Sequence, residues 1–163
     1  MIRAALIALS LALTACATPG HAGDGSHAGH DDPRPFSADR DAKADVEAAL
    51  ARAEERGTKA LIVMGGNWCH DSRAFAAAME RPDTAALIDE NYELVWVNVG
   101  YNVLNQDIAQ RFGLDGTPGT PTIIVARGDG TVLNFEDAPT WRNAASRDPD
   151  DIHQYFVDMA ARE

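Results

Sequence analysis

Apolar residues fall along this chain in short blocks, and the spacing inside each block predicts its element. Val46, Leu50 and Ala53 recur at helical intervals among charged neighbours. This predicts an amphipathic helix capped by Ser37, with Asp39 and Asp41 in its first turn, that runs to about Arg56 and stops at Gly57. Leu61 to Met64 (LIVM) is a continuous apolar run before two glycines, the pattern of a strand covered on both faces. A helix starting near Cys69 carries Phe75 and Met79 inward until Pro82 interrupts it, and Thr84 to Glu90 forms a second helical piece.

Glu93 to Val99 (ELVWVNV) reads as a central strand with Trp96 in its core, and Asn105 to Phe112 as a short helix closed by Gly113. Strand, helical crossover and buried strand imply a parallel pair. Thr122 to Ala126 (TIIVA) and Thr131 to Phe135 (TVLNF) flank Arg127-Gly128-Asp129-Gly130 and predict an antiparallel hairpin. Asp148 caps a closing helix with Pro149 at its first position and Ile152, Phe156 and Met159 facing inward. The pattern predicts an α/β body with a central mixed sheet of about four strands between helices.

Two segments precede this body. Residues 1–15 carry one positive charge at Arg3, then an apolar run from Ala4 to Leu13 that is short for a membrane span, which reads as an export signal. Leu13-Thr14-Ala15-Cys16 resembles a bacterial lipobox, making Cys16 the expected lipidation site; the alternative is an ordinary cleaved signal with a chance cysteine. Ala17 and Thr18 lack the aspartate that resembles an inner-membrane retention cue, so in a Gram-negative host the expected location is periplasmic, lipid-anchored at the outer membrane. Residues 16–36 are rich in Gly, Ala, His, Asp and Pro without apolar periodicity, and are expected to form a flexible tether before a domain over 37–163. His21, His27 and His30 match no closed ligand spacing and are read as solvated; no metal and no cofactor is expected. A net charge of −11 argues against nucleic acid, whose phosphates attract Lys and Arg.

The chemistry concentrates in Gly65 to Phe75 (GGNWCHDSRAF). With Cys16 committed to lipid, Cys69 is the one thiol left, and a single thiol cannot form an internal bridge. A cysteine at a helix N-terminus faces unpaired N–H groups and the positive end of the helix dipole, which favours the nucleophilic thiolate. A protonated His70 adds to this effect, whereas Asp71 opposes it. Ser72 can donate a hydrogen bond to the thiolate but cannot attack a mixed disulfide, so the first exchange step survives and an internal second step does not.

Trp68-Cys69-His70-Asp71-Ser72 resembles the WCxxC active-site turn of the thioredoxin superfamily with the second cysteine replaced. Gly119-Thr120-Pro121-Thr122 resembles that family's cis-proline loop; Pro118 competes for the role, and Pro121 is preferred because it directly precedes a strand. Asn67 to Val99 is especially similar to thioredoxin-like proteins bearing NWCHDC or NWCHDS turns. The resemblance spans about residues 40–160 and implies a thioredoxin-like fold, with Cys69 and Ser72 as catalytic residues, Trp68, His70 and Asp71 as their surroundings, and Thr120 and Pro121 as a platform for an extended substrate. Two departures stand out. Val63 replaces the family's buried acid and Asp71 the proline of its active-site turn, so a dithiol reductase like thioredoxin itself is not expected.

The expected function is therefore monothiol thiol–disulfide exchange with envelope proteins or low-molecular-weight thiols, with the membrane met only through the lipid. The alternative is a non-catalytic module that holds an extended peptide between Cys69 and Pro121. Metal handling by Cys69, His70 and the histidines of the tether ranks lower because a Cys-His pair adjacent in sequence gives poor bite geometry. A one-cysteine peroxidase ranks lower again because the threonine or serine of the peroxiredoxin motif is missing. Trp141 is read as a packing residue and His153 as a surface or half-buried side chain.

Overall fold

In the computed structural model, which describes residues 33–163, helix α1 (Ala42–Arg56) starts where an acidic side chain can close its first turn. The cap is Asp41, whose Oδ1 accepts from the Ala44 N–H at 3.1 Å, and not Ser37, whose hydroxyl accepts from the Asp39 N–H. Gly57 ends α1 at a φ of 68°, a left-handed geometry that glycine takes without steric cost. There follow β1 (Lys59–Gly65), α2 (His70–Met79), α3 (Pro82–Asn91), β2 (Tyr92–Asn98), α4 (Gln106–Arg111), β3 (Thr122–Ala126), two short 3-10 turns at Ala138–Trp141 and Ala144–Ser146, and α5 (Pro149–Ala160). No helix among these residues is long and apolar enough to cross a membrane.

The sheet runs β2-β1-β3, with β1 parallel to β2 and antiparallel to β3. It has three strands where about four were expected, because Thr131 to Phe135 does not form one. After a single bridge between Ala126 and Val132, the Asn134 side chain takes over the pairing: its Oδ1 accepts from the Val125 N–H and its Nδ2 donates to the Ile123 carbonyl. An apolar run cannot reveal that a side-chain amide will replace the next backbone rung. Trp96 lies on β2, an edge strand and not the central one, and is half-buried against Phe36 and Phe75.

Alternation along β1 feeds two cores, as the two-residue repeat of a strand requires. Ala60, Ile62 and Met64 face α1 and α4, joining Val46, Leu50, Ile108 and Phe112. Leu61 and Val63 face the side of α2, α3 and α5, joining Phe75, Met79, Ile88, Trp141 and Phe156. Phe36 is also buried there, so the packed body reaches back one residue before the expected boundary. The expected lipidation residue Cys16, the expected signal over 1–15 and the histidines His21, His27 and His30 lie outside the described residues.

Glu93 at the start of β2 is almost fully buried and is gripped by Arg52, Arg56 and Thr58. Burial alone would raise its pKa, but hydrogen bonds from Arg52 and Arg56 outweigh that effect and hold it below the usual value. A carboxyl lowered by folding stabilises the folded state above its unfolded pKa, near 4.5, and loses that contribution as pH falls through the folded value. Glu93→Gln is expected to cost about 1–2 kcal/mol at neutral pH, since both arginines are half exposed, and the deficit should shrink at acidic pH. Denaturant unfolding of parent and variant at two pH values checks this; a deficit that grows on acidification would contradict it.

Candidate active site

The site forms where β1 runs out into Gly65 and Gly66 and the chain turns into α2. Both glycines are close-approach positions. A Cβ at Gly65 would lie 2.6 Å from Ser72 Oγ and 2.8 Å from the Phe36 ring, and one at Gly66 would collide with the folded-back indole of Trp68. Cys69 is the N-cap of α2: its own N–H donates to the Gly66 carbonyl, and its carbonyl accepts from the Arg73 N–H. The sulfur therefore sits at the mouth of a ten-residue helix, partly exposed and free of any disulfide. Asn67 fastens the turn to the body, accepting from the Phe36 N–H at 3.1 Å and donating to the Phe36 carbonyl at 2.9 Å.

Across from the helix lies the loop before β3. The Thr120–Pro121 peptide bond is cis, and the Thr120 carbonyl oxygen accepts from Cys69 Sγ at 3.3 Å. The Thr122 hydroxyl donates to the Gly119 carbonyl and closes the turn, while Gln106 on α4 accepts from both the N–H and the hydroxyl of Thr117. Cys69, Thr120 and Pro121, about fifty residues apart in sequence, thus converge. Thr120 and Pro121 are buried, whereas Trp68 and His70, the chain neighbours of Cys69, are exposed.

The remaining predicted residues divide. Ser72 is fully buried and its hydroxyl accepts from the Gly66 N–H at 3.5 Å; the bond to sulfur expected for it is not among those formed, and the sulfur pairs with the Thr120 carbonyl instead. The first helical turn aims Ser72 into the space that Gly65 leaves open. Asp71 Oδ1 accepts from the Ala145 N–H at 2.9 Å, tying the start of α2 to the turn at Ala144–Ser146. His70 is exposed on the first turn. Val63, at the position of the family acid, is fully buried in β1.

Trp68 is 43% exposed, donates from Nε1 to the Gly100 carbonyl and stacks on Tyr101 with ring centroids 5.2 Å apart. Tyr101, Val103 and Leu104 are 76%, 74% and 51% exposed, so an apolar ledge extends from the thiol along the loop after β2. Sequence reasoning missed this ledge and the Asn67 clamp. The available signal for the ledge was residues 98–106, which carry no charge in a strongly acidic chain and include Gly100, Asn102 and Asn105, all at positive φ. Among the described residues no group of three or more His, Cys, Asp or Glu is placed to hold a metal ion.

Residues 41–127 match the family model described as thioredoxin-like. Among solved structures, a disulphide isomerase from Xylella fastidiosa Temecula1 is 28% identical, aligns over 78% of this chain and 97% of its own, and superposes with a TM-score of 0.70. A thioredoxin from Thermus thermophilus is 17% identical over 70% of this chain and 82% of its own, with a TM-score of 0.49. No curated protein gives a significant match.

Proposed function

Since this chain belongs to the thioredoxin-like family, we propose that it carries out thiol–disulfide exchange through Cys69 alone. In the first step the Cys69 thiolate attacks one sulfur of a disulfide, a bond forms between Cys69 and that sulfur, and the other half leaves as a thiolate. Ser72 offers no second sulfur, so an external thiol must attack the mixed disulfide; it leaves joined to the substrate half and returns Cys69 as thiolate. The observation that carries this reading is the placement of Cys69 at the start of α2, partly open to solvent and paired with the carbonyl before Pro121. The relation to a disulphide isomerase supports it. A lipid on Cys16, a place in the bacterial envelope, and envelope proteins or small thiols as partners complete the proposal.

The test uses the full chain with Cys16→Ser, which leaves Cys69 as its sole thiol. Incubation with a peptide disulfide should add one half of that peptide to the intact mass, and a thiol added afterwards should remove it. The same chain with Cys69→Ser should stay unmodified. A sulfur that takes up no adduct would overturn exchange and leave the module that holds an extended peptide beside Pro121.

A further inference from the structure

The cis-proline loop meets a cation. The side chain of Arg142 lies along Gly119, one residue before Thr120: a Cβ at Gly119 would be 3.2 Å from Arg142 Cδ and 3.3 Å from its Cβ. The segment carrying Arg142 is held on several sides. Trp141 is fully buried, Arg147 stacks over its ring at 4.1 Å and donates to the Thr140 carbonyl, and the Ala145 N–H is fixed by Asp71 next to Cys69. Arg142 itself is exposed and, among the described residues, has no hydrogen bond or ion pair. In the same chain Arg40, Arg52, Arg56, Arg81 and Arg111 all rest on carboxylates. Asp71, two residues after Cys69, has an oxygen committed to the Ala145 N–H.

Resting on the exchange reading above, we propose that Arg142 is a specificity-determining residue that selects disulfides bearing a carboxylate beside the reactive sulfur. A net charge of −11 repels anions at long range, so an anionic substrate needs a local cation at the groove. Arg142 meets that need on a pre-organised segment, and its planar fork matches a carboxylate. The Trp68–Tyr101 stack next to Cys69 offers no charge of its own. The exchange takes the same course: the sulfur carrying the acidic group joins Cys69, and the second half departs as thiolate.

The test measures second-order rates of Cys69, in the full Cys16→Ser chain, with dithiodiglycolate and with hydroxyethyl disulfide, each divided by the rate of free 2-mercaptoethanol with the same reagent. The anionic-to-neutral ratio should be about fivefold above one at low salt, and should fall towards one as salt rises. Arg142→Gln should bring it below one, Arg142→Lys should keep most of it, and Arg127→Gln, with the same change in net charge, should leave it alone. A ratio that Arg142→Gln and Arg127→Gln alter equally overturns the proposal while leaving exchange intact. Failure of Cys69 to react with either reagent overturns exchange and the proposal together. A pair of peptide disulfides with Glu or Gln beside the cysteine separates the sources: faster reaction of the Glu form assigns the carboxylate to protein substrates, and its absence beside a preserved small-disulfide ratio assigns it to low-molecular-weight thiols.

Discussion

Ser72→Cys is expected to shorten the life of a mixed disulfide on Cys69 by at least about a hundredfold, relative to a parent chain facing about 1 mM external thiol. Position 72 lies three residues beyond the N-cap, on the same face of the first turn of α2, so a sulfur there is a neighbour of Cys69. An intramolecular thiol in good orientation acts at an effective concentration far above millimolar, and the attack yields an internal disulfide and free substrate thiol. The bound is kept low for a structural reason. The Ser72 side chain is buried under Gly65 and Gly66 and engaged by the Gly66 N–H, so a larger sulfur must turn outward before it attacks. Acid quenching followed by alkylation and intact mass gives the lifetime directly. Equal lifetimes in Ser72→Cys and parent would show that the two positions do not meet, and would remove the physical account of why the proposed exchange needs an external thiol for its second step.

What the sequence conveyed about this site follows from how local its signals are. Cys69 as a helix cap, Gly57 as a helix stop and Asp148-Pro149 as a helix start are each decided within a few residues, and the apolar blocks around Leu61 and Val95 suffice to pair β1 with β2 in parallel. The order of the WCHDS and GTPT motifs placed Cys69 and Pro121 together only through resemblance, since nothing within either motif encodes a distance. Asn134 shows where the pattern ends: TVLNF has the apolar content of a strand, yet the Asn134 amide bonds Ile123 and Val125 and takes the place of further backbone pairing. Ser37 and Asp41 are both good caps, and the winner is set by where the buried stripe begins, at Ala42. The Trp68–Tyr101 stack joins residues 33 positions apart through a loop whose shape depends on three residues at positive φ, which apolar spacing does not register.

Trp141→Ala is expected to remove about 3–5 kcal/mol of stability, a large part of the roughly 5–15 kcal/mol that holds a domain of this size together. The indole is fully buried among Phe75, Tyr155 and Phe156, with the Arg147 guanidinium over its face, so alanine leaves a large cavity there. Its Nε1 has no hydrogen-bond partner among the described residues, so part of the side chain's burial is already opposed by an unmet N–H. Trp141→Phe removes that N–H along with some ring volume and should therefore cost much less than the alanine change. Urea unfolding of the three chains gives the order directly, and a phenylalanine variant as weak as the alanine one would show that ring volume alone matters. The consequence reaches the site because the same segment carries Arg142 against Gly119 and Ala145 against Asp71. Below the unfolding transition, Trp141→Ala should therefore also slow mixed-disulfide formation at Cys69, while Trp141→Phe, which keeps an aromatic ring on Phe75 and Phe156, should leave that rate near the parent value.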